Sequence, residues 1–386
     1  MFVSDIERRV WRCDRNQGSI EIALDTGAIV AGRERLAARE LELELKAGAP
    51  TALVDLAREL MQAAPLRLAF ESKAARGWRM LDDTIFEPRR WTAPTLDARG
   101  PAIEGFRALA RAALAQVADN LQVLGEIRRP EAVHQARVGL RRLRSMQAAF
   151  ADRLTPAASK RIEAELKWLA GELDCARDLD VFARETFAPA TRVLAPHGLA
   201  ALGLRLELAR DRAYGRIEAA LATPRFDRLL LETLAWIEAD VSLVVPAEPS
   251  PPLAEAGAAA LERLRKSVRK RGRGFDDLDA TGRHKLRIRA KRLRYAADAF
   301  APLFEGHDKR RRDLMDALAA MQAALGGLND LQVAREGLAP DLGADNPAVA
   351  LAAGRVIGRR EADEPNLLAA AAKSVKRFAR ARPFWR

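Results

Sequence analysis

Residues 134–150, HQARVGLRRLRSMQAAF, and residues 284–300, HKLRIRAKRLRYAADAF, align without a gap at an offset of 150. The likeness reaches back to Pro101 and Pro251. It also reaches forward, at an offset of 152, from Leu173, Asp178 and Leu179 to Leu325, Asp330 and Leu331. Self-similarity on this scale marks a duplicated structural unit. From residue 101 onward Ala, Leu, Arg and Glu dominate at helical spacing, and each copy holds about four helical segments. The expected fold class is therefore mainly α, with two four-helix bundles related by a pseudo-twofold axis.

On a helical wheel of about 100° per residue, His134, Arg137, Arg141 and Arg144 share a sector of roughly 80°. Ala136, Leu140, Leu143, Met146 and Phe150 lie opposite. The second copy repeats the pattern with His284, Arg287, Lys291 and Arg294 against Leu286, Ala290, Leu293 and Phe300. Arg142, Lys285, Arg289 and Arg292 widen the two stripes. Like charges one turn apart repel by a few tenths of a kcal/mol per pair, so an anion must compensate. Asp178, Asp180 and Asp330 are internal candidates, and a bound polyanion is the external one. Arginine suits phosphate because its fork donates paired hydrogen bonds and keeps its charge. A salt-bridged, solvated helix face is the competing explanation. Of the four histidines, only His134 and His284 open the stripes, and they do so at equivalent positions.

The charge balance agrees. Residues 1–100 hold 16 basic and 16 acidic side chains, so the net charge of +12 on the 386-residue chain belongs entirely to the later part. A surplus confined to one region points to a polyanionic partner. The two cysteines, Cys13 and Cys175, stand far apart in sequence and outside metal-ligand spacing, which suits a reducing cytosol. Neither histidine motif has Cys, Asp or Glu at i+3 or i+4, so no metal site is expected there. No uninterrupted apolar run reaches the roughly 18 residues that a membrane span needs, and a cytoplasmic location is expected.

The first 100 residues differ in kind. ERRVWRC (7–13), SIEIAL (19–24) and ELELELK (40–46) alternate as strands do, with Asp25-Thr26-Gly27 as a turn. A helix is expected over 50–63, then a short strand from Leu66 running into a further helix or strand by Leu81. Prolines at 88, 94 and 101 suggest a boundary near 95–100. PAEPSPP (246–252) reads as a linker, since four prolines in seven residues cannot continue a helix. The expected partition is 1–95, then 101–386 with half-repeats 101–245 and 251–386.

HxxRVxxRRLR and HxxRIxxKRLRY, each followed by an amphipathic helix and an ARDLD or LNDLQ segment, resemble the CHAD domain, an α-helical module named for its histidine. The resemblance implies paired four-helix bundles with a basic groove that binds inorganic polyphosphate. The matching residues are His134, Arg137, Arg141, Arg142 and Arg144, then His284, Arg287, Lys291, Arg292 and Arg294, with Lys291 standing where the first copy has arginine. ELELELK and the segment 66–81 resemble the later half of a CYTH domain, the triphosphate tunnel barrel. That likeness implies glutamates such as Glu40, Glu42 and Glu44 holding a divalent metal. A tunnel needs about eight strands, however, and four or five are expected here.

Non-catalytic binding of inorganic polyphosphate is therefore the expected function, with association at polyphosphate granules and with no cofactor, metal or membrane. The alternatives are a metal-dependent triphosphatase or nucleotidyl cyclase on the CYTH-like segment, or a nucleic-acid binder. The last is disfavoured because single-strand binding interleaves aromatic platforms with cations, and only Tyr295 adjoins either stripe.

Overall fold

The structure, a computed structural model, describes residues 1–15, 18–238 and 250–386. Strands β1 (Phe2–Arg15), β2 (Gly18–Ala31) and β3 (Glu34–Gly48) form an antiparallel sheet in that order. Asp25-Thr26-Gly27 is not a turn but the middle of β2, with Asp25 opposite Arg8 on one side and Glu40 on the other. Gly27 serves there by having no Cβ, which would overlap the carbonyl oxygen of Asp5. The chain reverses instead at Gly32, whose φ of 61° suits glycine.

Helix α1 (Thr51–Ala63) lays Ala52, Leu53, Leu56 and Leu60 on Ile20, Ile22, Leu43 and Leu45. Helix α2 (Lys73–Leu81) places Met80 against Ile29, Ala31, Phe2 and Leu36. Since successive strand residues point to opposite faces, the two helices cover opposite sides of the sheet. Residues 66–72 form neither the expected strand nor a helix. Leu68 and Phe70 turn instead into the apolar core of the helical region, as do Trp91 and Leu96. Among the described residues the sheet therefore has three strands where four or five were expected.

The rest is helical. The first copy runs α3 (Ala102–Glu126), α4 (Pro130–Ala149), α5 (Pro156–Val181), a π-helical turn (Phe182–Phe187), α6 (Ala188–Thr191), α7 (Leu199–Leu221) and α8 (Pro224–Glu238). The second runs α9 (Leu253–Gly272), α10 (Ala280–Phe300), α11 (Asp308–Val333), a π-helical turn (Ala334–Leu338), α12 (Ala339–Gly343), α13 (Pro347–Glu361) and α14 (Glu364–Arg380). Among the described residues each copy thus has five long helices and one short one, where about four helical segments were expected. The change of offset from 150 to 152 arises between α10 and α11, where residues 301–307, after Phe300, are two more than residues 151–155, after its equivalent Phe150. Residues 246–249 of the expected linker lie outside the described residues.

One contiguous core joins the copies. Phe106 packs edge-on against Phe150 and Trp236, with centroids 5.3 and 5.4 Å apart, and Phe150 meets Phe300 at 5.8 Å. Two reciprocal backbone bonds tie the copies where they begin, from Ala102 N–H to the Pro251 carbonyl (3.1 Å) and from Leu253 N–H to the Gly100 carbonyl (2.9 Å). The N-terminal part is held by Arg58, which donates to Glu232 at 2.7 and 2.8 Å. Arg67 assists by donating to Asp227 (3.0 Å) and the Leu221 carbonyl (2.6 Å). Among the described residues no helix is long and apolar enough to cross a membrane.

Candidate anion-binding site

Helices α4 and α10 pack side by side. Pro130 starts α4, and the Asp279 carboxylate caps α10 by accepting from Gly282 N–H at 2.7 Å. The residues expected to anchor the two stripes, Leu140, Leu143, Met146 and Phe150, then Leu286, Leu293 and Phe300, are all buried. That anchoring turns the cationic faces toward α5 and α11, and it turns the middle of each stripe toward the other.

Arg137 and Arg141 from α4 share one electrostatic environment with Arg287 and Lys291 from α10. Burial lowers the Arg137 pKa, and Arg141, Arg177 and Arg287 lower it further while Asp178 opposes. Burial also lowers Arg287, with Asp330 opposing and Arg141 reinforcing. Lys291 falls to about 6, chiefly through burial and then through Arg141 and Arg287. Two carboxylates partly offset these charges. Burial raises the Asp178 pKa, Arg137 lowers it, and the repeat-equivalent Asp330 raises it again. Asp180, the third expected counter-ion, is spent elsewhere, accepting from Arg210 (2.9 Å) and Tyr214 (2.8 Å).

The internal pairs do not use up the cations. Arg137 pairs with Asp174 and donates to the Ala170 carbonyl at 3.3 Å. Among the described residues Arg287 donates only to the neutral side chain of Asn329, at 3.2 Å. The Nε–H groups of both arginines are buried and have no acceptor among the described residues. Arg141 and Lys291, equivalent in the two repeats, have neither a hydrogen bond nor an ion pair there. Further along, Arg144 stands 3.4 Å from Glu163, and Arg294 donates to Gln322 at 2.9 Å. Burial lowers Arg292, aided by Arg144. Lys285 is exposed. Arg289 turns toward α9, donating to the Ser267 carbonyl at 3.4 Å.

Two features of the stripes differ from what spacing alone suggests. Arg142 points away from the other stripe residues, with its guanidinium 4.3 Å from the Trp91 ring centre, 5.2 Å from that of Tyr295, and 2.8 Å from Asp298. The reason is angular, since Arg142 lies about 100° around the helix from Arg141. An unperturbed histidine gains charge below about pH 6.5. Burial and then the Arg177 cation push His134 down to about 4, so it stays neutral. His284 instead shares a hydrogen bond through Nδ1 with Asn329 Oδ1 at 2.8 Å. Arg177 and Asn329 are equivalent at the 152 offset, a contrast that the stripe motif alone does not reveal. Asp174 and Trp91 were also missed, because nothing in local spacing sets them apart.

In the N-terminal sheet, Glu40, Glu42 and Glu44 share a face, as expected, while Leu43 and Leu45 lie against α1. The carboxylates are already paired. Lys73 Nζ lies 2.7 Å from Asp25, 2.8 Å from Glu40 and 2.7 Å from Glu42. Arg8 donates to Asp25 (2.7 Å) and Glu42 (2.6 Å), Arg76 pairs with Glu40, and Lys46 with Glu44 at 3.0 Å. Among the described residues no group of three or more His, Cys, Asp or Glu is placed to hold a metal ion.

The CHAD domain family profile matches residues 108–339. The crystal structure of the CHAD domain from the plant Ricinus communis superposes with a TM-score of 0.65 at 32% identity, over 75% of this chain and 96% of that one. PptA from Streptomyces chartreusis superposes with a TM-score of 0.51 at 19% identity, over 72% of this chain and all of that one, a likeness of fold. An inorganic triphosphatase of Haemophilus influenzae is 35% identical over 78 residues, which span 20% of this chain and 22% of that protein.

Proposed function

Because the chain belongs to the CHAD domain family, which is associated with polyphosphate binding, we propose that it binds inorganic polyphosphate non-catalytically in a basic groove shared by α4 and α10. The observation that carries this reading is the side-by-side packing of α4 and α10, which puts Arg137 and Arg141 in one electrostatic environment with Arg287 and Lys291, offset in part by Asp174, Asp178 and Asp330. Three arginines of like sign repel, and Lys291 gives up its proton beside them, unless an anion joins the cluster. A chain of phosphates supplies one at regular intervals, and the arginines bind it through charge-assisted hydrogen bonds. His134 contributes a neutral imidazole rather than a charge. A cytoplasmic location at polyphosphate granules and a division of the chain into 1–95 and 101–386 belong to the same proposal.

The test is a titration with long-chain polyphosphate at several salt concentrations. Arg137→Ala with Arg141→Ala, and separately Arg287→Ala with Lys291→Ala, should each weaken binding by about tenfold or more. The salt dependence should become shallower. Arg58 and Arg67 are unsuitable controls, since both tie the N-terminal part to α8. Exposed Arg33 and Arg35 serve instead. Variants that bind like the parent would return the stripes to a salt-bridged helix face.

Nucleic acid remains disfavoured, because the two aromatic rings nearest the stripes, Trp91 and Tyr295, both face Arg142. Triphosphatase activity is disfavoured because Lys73, Arg8 and Arg76 occupy the carboxylates that a divalent ion would need.

A further inference from the structure

Outside the α4–α10 groove, the second repeat carries a basic surface that the first repeat lacks. Helices α9 and α14 together hold ten basic and three acidic side chains, whereas α3 and α8, their counterparts, hold four and six. In the first repeat the arginines are matched, as when Arg111 donates to Glu238 at 2.7 Å and Arg225 to Glu165 at 2.9 Å. In the second, Lys266, Lys270, Lys373, Lys376 and Arg380 are exposed, and none has an ion-pair partner among the described residues. The three acids do not compensate them. Glu262 lies 3.2 Å from Arg386, Glu364 lies 4.0 Å from Arg335, and Glu255 sits in the first turn of α9, far along the helix from Lys266.

The two helices meet at two points along their length. Arg265 of α9 donates to the Ala381 carbonyl just after α14 at 2.9 Å, and the backbone at Gly272 lies against Val375. A shallow hollow on α14 is floored by Ala369 and Ala372 and rimmed by Lys373, Lys376, Arg377 and Arg380. The face connects to the groove through α10, where Arg289 reaches Ser267, the neighbour of Lys266, and exposed Lys285 lies one turn before it.

We propose that the α9–α14 face is a second polyphosphate-binding surface, which holds the part of a long chain that extends beyond the α4–α10 groove. This rests on the function proposed above and adds to it a preference for long chains and a direction in which the chain leaves the groove. The chemistry favours phosphates without bases or lipid tails. Neither α9 nor α14 exposes a large apolar or aromatic side chain that could stack on a base or insert into a bilayer. Flexible lysines on an open surface suit a ligand held by charge along its length. A second surface joined to the first by the ligand itself raises affinity through effective concentration, and only for chains long enough to reach it.

The experiment compares long-chain polyphosphate with tetrapolyphosphate on the full chain carrying Lys266→Gln, Lys270→Gln, Lys373→Gln, Lys376→Gln and Arg380→Gln. All five side chains are exposed, so folding should persist, and circular dichroism checks this. Long-chain affinity should fall on the order of tenfold with a shallower salt slope, while tetrapolyphosphate affinity stays within about twofold. Unchanged long-chain affinity would overturn the proposal. Equal losses for both ligands would also overturn it, by making the face part of the first site. Loss of binding to duplex RNA or to phosphatidylserine vesicles, with polyphosphate unaffected, would assign the face to that partner instead. If the unmodified chain binds neither polyphosphate, the function proposed above falls, and this inference with it.

Discussion

Phe150 and Phe300 end equivalent helices of the two repeats, and their rings meet with centroids 5.8 Å apart at an interplanar angle of 60°. Both are fully buried, and Phe150 also touches Phe106, which packs on Trp236. The contact joins the apolar backs of the two basic helices, so the placement of their cationic faces depends on it. Phe150→Ala and Phe300→Ala should each cost about 3–5 kcal/mol. The double variant should cost less than the sum, because each substitution opens the same space. Denaturant titrations check this, and single losses below about 1 kcal/mol would show that the contact contributes little.

Lys291 should exchange stability for binding. Its folded pKa of about 6 lies below the ordinary lysine value of about 10.4. Between these values the unfolded chain holds the extra proton, so stability rises with pH across that window. Lys291→Met should therefore stabilise the protein near pH 6 by on the order of 1–4 kcal/mol, and the gain should fade toward pH 10. The same variant should bind polyphosphate more weakly. A bound phosphate chain raises the lysine pKa, so binding to the parent should take up a proton near pH 8, seen calorimetrically in buffers of different ionisation enthalpy. Absence of that uptake, or a destabilised Lys291→Met, would contradict the assignment.

Arg142 should behave as a clamp rather than as a ligand. It bridges Trp91 of the N-terminal part, its own repeat, and Tyr295 and Asp298 of the other repeat. Arg142→Ala should lower stability by about 2 kcal/mol through the lost cation–π and ion-pair contacts. Affinity for polyphosphate should change by less than about twofold, smaller than one charge-assisted contact. A tenfold loss of affinity with unchanged stability would return Arg142 to the binding stripe.

The N-terminal carboxylates should act structurally. Arg8 and Lys73 hold fully buried Asp25 down to about 2. A folded pKa below the unfolded one gives stability that is present above about pH 4 and is lost as the pH falls through 2. Asp25→Asn should therefore cost about 2 kcal/mol at neutral pH, and the difference should close in acid. With Mg²⁺ and inorganic triphosphate the parent should release no phosphate above background. Turnover that Glu42→Gln abolishes would reverse this conclusion.

Much of the fold was legible from residue spacing. The 150 offset, the apolar faces of α4 and α10, and the helix expected over 50–63 follow from periodicities fixed by backbone geometry. The face shared by Glu40, Glu42 and Glu44 follows in the same way. The errors came where a tertiary neighbour overrode a local signal. Asp25-Thr26-Gly27 looks like a turn, but its glycine makes room for the Asp5 carbonyl of the adjacent strand. Residues 66–72 alternate like a strand, but Leu68 and Phe70 gain more by entering the helical core.

The sequence by itself determined that two cationic helices exist, that each has one buried face, and that they are copies. It also determined that the excess charge lies after residue 100. Only the tertiary structure decided which cations meet. Arg137, Arg141, Arg287 and Lys291 share one environment because α4 and α10 pack side by side, while Arg142, one residue further on, is drawn to Trp91, Tyr295 and Asp298. The tertiary structure likewise placed a cation beside His134 and an amide beside His284. The physical reason is range. Periodicity is set within one turn of backbone, but the energy of a charge depends on every group that folding brings near it and on the water that folding removes.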